Sequence, residues 1–208
     1  MIHIIGAGGH GSVVAECFSL QGEASLRILD ADPARHGKAC LHWTIEDEEA
    51  CLRDLAPGAR FHVAIGDSAA RRTVTDRWIE AGHRPVSSVH PRGILSPSAR
   101  TGEGSVVMAG AVVQTGARLG RGVIVNTGAT VDHDARIGDF AHVAPGAHLA
   151  GDAEVGEGAW IGLGALILEG RRVGAGSTVG AGSIVTRDIP AGVTAWGSPC
   201  RVREAAPH

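Results

Sequence analysis

The chain has 208 residues, 31 of them glycine, with no tyrosine and only 3% aromatic residues. Small and aliphatic side chains must therefore do the packing that aromatic residues often do. The formal net charge of −3 supplies no basic field for nucleic acid or an anionic membrane, and no apolar run approaches the roughly 18–20 residues of a spanning helix.

The N-terminal residues Met1-Ile2-His3-Ile4-Ile5-Gly6 lack the charged and apolar regions of a secretion signal. Cys17, Cys40, Cys51 and Cys200 are scattered without a C-x-x-C pair and read as free thiols. Both features predict a cytoplasmic protein. Residues 1–85 read as a small α/β domain. His3-Ile4-Ile5 is a strand that runs into Gly6-Ala7-Gly8-Gly9-His10-Gly11, followed by a helix over Ser12–Leu20. A second strand, Leu26–Leu29, ends at Asp30. A third, Phe61–Ile65, ends at Gly66-Asp67, and Ser68 reads as the N-cap of a helix through Glu80. This β-α-β-α-β pattern is half of a Rossmann unit. Gly6, Gly8 and Gly11 fit G-x-G-x-x-G, which allows a tight turn and aims a helix N-terminus at a phosphate. Asp30 stands where an acidic residue can bind a ribose hydroxyl. A dinucleotide such as NAD needs two such halves, so a nucleotide diphosphate carrying another group fits better. A glycine-rich turn without a ligand is the plain alternative.

Residues 86–187 carry a six-residue repeat. Every sixth position from Val89 to Val185 is aliphatic except Thr101. The position two residues earlier is Ala, Ser or Gly except at Val123 and Arg171. A period of six fits neither an amphipathic helix nor a lone hairpin. It fits a triangular solenoid, the left-handed parallel β-helix, with three six-residue sides per coil and coils stacked about 4.8 Å apart. Gly102, Gly120, Gly138, Gly156 and Gly174 recur once per coil. After Val185 the repeat stops, and residues 188–208 are expected to cap the last coil. Arg187–Gly192 reads as a turn and Trp196–Pro199 as a fixed loop.

Such a prism has no internal cavity, so chemistry must lie outside it or between copies. The densest polar stretch is Asn126–Asp134, followed by Asp139, His142 and His148. Val131 points inward, so Asp132, His133 and Asp134 project around a turn. A histidine beside a carboxylate is a candidate general base. Backbone N–H groups of nearby glycine turns could hold an oxyanion. A zinc site is the other chemical option. However, His133, His142 and His148 are nine and six residues apart and fall on different faces or corners, so no metal is expected. No cysteine lies in the cluster to act as a nucleophile.

The Gly8-Gly9-His10-Gly11 turn, the half-Rossmann domain, the stretch Asn126–Phe140 and the β-helix together resemble the bacterial nucleotide-amino-sugar N-acetyltransferases. The bacillosamine and GDP-perosamine enzymes are examples, and the sialic acid O-acetyltransferases share the layout. The resemblance covers essentially the whole chain. It implies acetyl transfer from acetyl-CoA to the amine of a UDP- or GDP-linked amino-deoxy sugar for surface glycans. It also implies direct attack without a metal, in homotrimers with active sites between subunits. By the same resemblance His133 is the catalytic base and Asp134 the neighbour that raises its basicity; some relatives have Glu there, one methylene longer. His142 contacts the thioester region of acetyl-CoA, the Gly151 amide is an oxyanion donor, and Leu163 and Ala181 follow the pantetheine arm. Ala181 replaces a glycine of some relatives. Gly8, Gly9 and His10 hold the phosphates, and Asp30, Ala31 and Gly66 surround the base and ribose. The alternatives are an O-acetyltransferase of the sialic acid type and a non-catalytic β-helix scaffold.

Overall fold

Parallel strands two residues long can bury their side chains only if each is stacked on a copy of itself, and the hexad register does this. In the computed structural model, which describes residues 1–203, the strands from Ser88–Val89 onward pair in parallel with those eighteen residues away. Three flat faces result. The first contains Ser88–Val89 and His142–Val143, the second Ile94–Leu95 and Thr130–Val131, the third Arg100–Thr101 and Arg136–Ile137. The second residue of each pair points into the prism. Val107, Val113, Val125, Val131, Val143 and Ile161 are fully buried there, beside the small residues Ala111, Ala129, Ala141 and Ala159. The architecture is a left-handed β-helix preceded by an α/β domain.

The N-terminal domain holds more strands and helices than the sequence pattern predicts. Its parallel strands are β1 (Ile2–Ile5), β2 (Leu26–Asp30), β4 (Trp43–Asp47), β5 (Arg60–Val63) and β6 (Arg84–Pro85), with β3 (Ala39–Cys40) antiparallel at one edge. The order is β3-β4-β2-β1-β5-β6, so the sheet is five parallel strands and not three. Helices α1 (Gly9–Leu20), α2 (Glu48–Asp54) and α3 (Ser68–Glu80) cover it. Segment 31–59 hid β4 and α2 because Trp43–Asp47 carries Glu46 and Asp47 and buries only Ile45, and the short α2 buries only Glu48 and Cys51. Helix α1 starts at Gly9, not Ser12. Gly11 is therefore inside the helix, where a Cβ would lie 1.9 Å from the Gly6 carbonyl oxygen. Asp67, not Ser68, caps α3: its side chain accepts from the Ala70 N–H.

The two parts share one interface. Val14 and Phe18 of α1 pack with Val106, Met108 and Ile124 of the first face. Arg71 of α3 is 1% exposed and donates to four carbonyls. Two belong to the N-terminal domain, Ile65 and Gly66 at 2.7 Å each; two belong to the prism, Gly122 at 2.8 Å and Phe140 at 2.5 Å. At the far end, Thr194–Trp196 extends the first face and Arg201–Arg203 turns back antiparallel to it. The expected cap at residues 204–208 lies outside the described residues. All four cysteines are free and buried.

Burial also depresses several histidines. It lowers the pKa of His3 and His83, takes His62 and His142 to about 4, and takes His10 to about 3. The unfolded chain binds protons at these sites below its own pKa near 6.5, whereas the folded chain does not. Stability is therefore full above about pH 6.5 and is lost as the pH falls. At pH 5 each of the deepest histidines costs about 2 kcal/mol. Thermal melts should show Tm falling steadily between pH 7 and pH 5; a flat profile would contradict this burial.

Candidate active site

Two groups of residues converge in this chain, at different places. The first lines a cleft of about 490 Å³ at the carboxyl edge of the parallel sheet, where Gly8, Gly9, His10, Asp30, Ala31 and Gly66 all meet. The cleft lies at the point where the strand order departs from β1 in both directions, the usual ligand crevice of such sheets. Gly8 is the N-cap of α1, so the first amides of the helix face the cleft. The Asp30 carboxylate pins the glycine loop: it accepts from Ala7 N–H at 2.8 Å and from Asp32 N–H at 2.9 Å. Each oxygen keeps acceptor capacity for a further partner.

The cleft borders the prism through His10. The His10 ring lies 6.3 Å from that of His142, which projects from the first face and is 4% exposed. Asn126 meets His142 Nε2 at 3.1 Å, and the Trp160 ring lies 4.2 Å from it. Burial, and then the Arg71 charge, keep His142 neutral; the nearby Gly66 carbonyl opposes them in part. His10 Nε2 and His142 Nδ1 both lack hydrogen-bond partners among the described residues. These are two neutral imidazoles with free nitrogens beside the cleft.

The second group sits at the corner between the second and third faces. His133 and Asp134 follow the strand Thr130–Val131. His133 Nδ1 donates to Asp134 Oδ2 at 3.1 Å, and the pair is roughly half exposed. That hydrogen bond raises the His133 pKa, helped by the charges of Asp132, Asp134 and Asp152. With Nδ1 holding the proton, Nε2 is free to accept one. The His133 ring lies over Gly151 one coil on, where an added Cβ would come within 2.4 Å of Cε1. Gly151 N–H makes no hydrogen bond among the described residues, so it is available as a donor.

Leu163 and Ala181 stack on successive coils at the corner between the first and second faces, and Leu163 is 60% exposed. The sequence-predicted residues thus fall into a cleft group reaching His142, a corner group of His133, Asp134 and Gly151, and this second corner. The structure does not join His133 to His142 or to the cleft within one chain. A whole face separates them, on the order of 15 Å at ~3.3 Å per residue. Among the described residues no three metal-ligating side chains cluster, and no helix is long and apolar enough to cross a membrane.

Sequence reasoning missed Arg71, Phe140 and Asp152. A signal for two of them exists. The turn residue with positive φ recurs every sixth position from Gly104 to Gly182 and is glycine except at Asp134, Phe140 and Asp152 (φ 59°, 56° and 54°). Non-glycine residues there are strained, and they cluster at the level of His133 and His142.

Residues 1–78 match the family model described as the PglD N-terminal domain. The acetyltransferase domain of PglB from Neisseria gonorrhoeae FA1090, solved in complex with acetyl coenzyme A, is 41% identical. The match covers 97% of this chain and 98% of that one, with a TM-score of 0.92. The chain belongs to the bacterial nucleotide-amino-sugar N-acetyltransferase family. A second member, the perosamine N-acetyltransferase from Caulobacter crescentus in complex with CoA and GDP-perosamine, is 38% identical. It aligns over 98% of this chain and 97% of its own, with a TM-score of 0.91. That structure is of a histidine-to-asparagine mutant, and a histidine-to-alanine mutant is solved as well. The UDP-N-acetylbacillosamine N-acetyltransferase of Bacillus subtilis (strain 168) is 38% identical over 110 residues. Those residues are 52% of this chain and 51% of that protein, so the match spans about half the length of the curated relative.

The ring of His133 over Gly151 makes a direct prediction. Gly151→Ala should leave the prism folded, since φ is ordinary there, but displace the imidazole. Turnover should fall by about tenfold or more, on the scale of a misplaced catalytic group. Unchanged kcat with an unchanged melt would show that the ring position does not matter.

Proposed function

We propose that this chain transfers the acetyl group of acetyl-CoA to the amine of a UDP- or GDP-linked amino-deoxy sugar used in surface glycans. The observation that carries the reading is the His133–Asp134 pair, 3.1 Å apart, with Nε2 of the histidine free. The amine nitrogen attacks the thioester carbonyl carbon. As the C–N bond forms, the nitrogen becomes cationic and His133 Nε2 takes its proton. The Gly151 N–H donates to the developing oxyanion. The C–S bond then breaks, and the thiolate leaves as CoA after accepting a proton. Asp134 keeps the imidazole oriented and stabilises its charged form. Gly8, Gly9 and His10 hold the diphosphate, with Asp30, Ala31 and Gly66 around the nucleoside. His142 adjoins the thioester, and Leu163 and Ala181 flank the pantetheine. Acetyl-CoA as donor suits a cytoplasmic enzyme.

Assembly through the second face supports a shared site. Its outward column is Ile94, Val112, Thr130, His148, Leu166 and Ile184, the most apolar uncovered row of the prism, with Ile94 60% exposed. Burying that column about a rotation axis parallel to the prism sets the His133 corner of one subunit against the Leu163 corner of the next. His142 and the cleft of that neighbour then adjoin His133. We propose a homotrimer on this plan, with three such sites.

An acetyl-CoA consumption assay against UDP- and GDP-linked amino sugars tests the activity, and no turnover with any of them would refute it. His133→Ala should lower kcat by about 10²–10⁴ while acetyl-CoA binding persists; wild-type turnover would remove the assignment. Asp134 raises the His133 pKa, and only the deprotonated histidine acts as a base. Asp134→Asn should therefore move the acidic limb of the kcat/KM profile to lower pH. An unmoved limb would mean that the pair is uncoupled in catalysis.

A further inference from the structure

The cleft carries the wrong charge for the ligand it is proposed to hold. Its charged lining is Asp30, Asp32, Glu48 and Arg35; buried Glu48 is paired with Arg77 at 2.5 Å, which leaves two carboxylates against one guanidinium. Arg35 is already engaged: it donates to the Ala7 carbonyl at 3.1 Å and lies 3.6 Å from Asp32 and 3.9 Å from Asp30. The amides at the start of α1 supply only a partial positive charge, about half of one elementary charge.

Unused cations lie on the third face. Arg100, Arg118 and Arg136 stack in register, one per coil, and all are exposed. None forms an ion pair among the described residues, although successive rungs are only about 4.8 Å apart. The next rung is Glu154, which pairs with Arg172 at 3.1 Å. The surplus charge is therefore confined to the coils that stand level with the N-terminal domain. Three stacked like charges repel one another, and only Arg136 has a carboxylate, Glu154, on the next rung.

The ladder cannot reach the cleft of its own subunit, which sits over the first face. It can reach a neighbour's. Helix α3 leans on the corner between the third and first faces, through Arg121–Asp76 and Arg72–Glu157. That puts β5 and β6 on that side, so β2 and β4, beyond β1, extend toward the corner that carries Leu163. The assembly proposed above would bring the third face of the neighbour beside that same corner, next to the cleft. We infer that Arg118 and Arg136 of the partner subunit complete the diphosphate site of this cleft. The inference rests on the nucleotide-sugar reading and the assembly proposed above.

The test uses the assembled enzyme and three double variants: Arg118→Glu with Arg136→Glu, the same pair to Ala, and the same pair to Lys. KM for the nucleotide-linked amino sugar and for acetyl-CoA are measured, with binding of UDP and GDP by calorimetry. The Glu and Ala pairs should raise the sugar-nucleotide KM and the UDP or GDP Kd by about tenfold or more, the scale of lost charge-assisted hydrogen bonds. The KM for acetyl-CoA and the assembly state should stay as in wild type, and the Lys pair should recover most of the loss. Nucleotide affinity unchanged in the Ala and Glu pairs would overturn the inference. Failure of wild type to acetylate any nucleotide-linked amino sugar would instead count against the functional reading, and the UDP and GDP titrations would still decide the role of the arginines.

Discussion

Each side of the prism ends in a turn that needs one residue with positive φ, and this requirement recurs every sixth position from Gly104 to Gly182. Glycine meets it without strain, whereas an ordinary L residue there costs on the order of 1–2 kcal/mol. Asp134, Phe140 and Asp152 occupy such positions. Each has a use that glycine cannot fill. Asp134 holds His133, and Asp152 adds negative charge beside it. Phe140 sets its ring against the guanidinium groups of Arg72 and Arg121, at 4.7 and 4.9 Å, while its backbone carbonyl accepts from Arg71. Strain is thus accepted where the prism meets the chemistry and where it meets the N-terminal domain.

Arg71 ties these two places together. A guanidinium buried with carbonyl partners only is costly to desolvate, and its pKa falls to about 10 for that reason. Its four acceptors fix the Gly66 peptide, which lines the cleft, to the Phe140 turn, which precedes His142 by two residues. Cleft and prism are therefore held in one register, with His10 against His142. The remaining gap, between His142 and His133, is the width of a face and is closed in our account by another subunit.

The prism was legible in the sequence because its packing rule is local: an aliphatic residue every six positions and a small one two before it. The corner pair was legible too, since Val131 points inward and so forces Asp132–Asp134 outward. The N-terminal domain was read only in part. Its β4 strand, Trp43–Asp47, buries little more than Ile45 on an edge covered by β3, so it lacks the apolar run that marked β1 and β5. Arg71 was illegible because it sits in a charged helix, Ser68–Glu80, whose sequence reads as solvent-facing. Only its carbonyl partners in the other domain reveal its place. The separation of His133 from His142 followed from their spacing in the repeat, yet the subunit contact we propose to bridge it rests on a surface column that no motif announces.

The central claim is that catalytic base and substrate cleft work from different subunits. Co-expressed, separately tagged His133→Ala and Gly8→Trp chains test it, the first lacking the base and the second having its cleft filled by the indole. Each alone should be inactive. Mixed assemblies should recover activity, roughly a quarter of wild type under random assortment, because some interfaces join an intact base to an intact cleft. Mixed assemblies as inactive as their parents would place base and cleft in the same subunit and contradict the account.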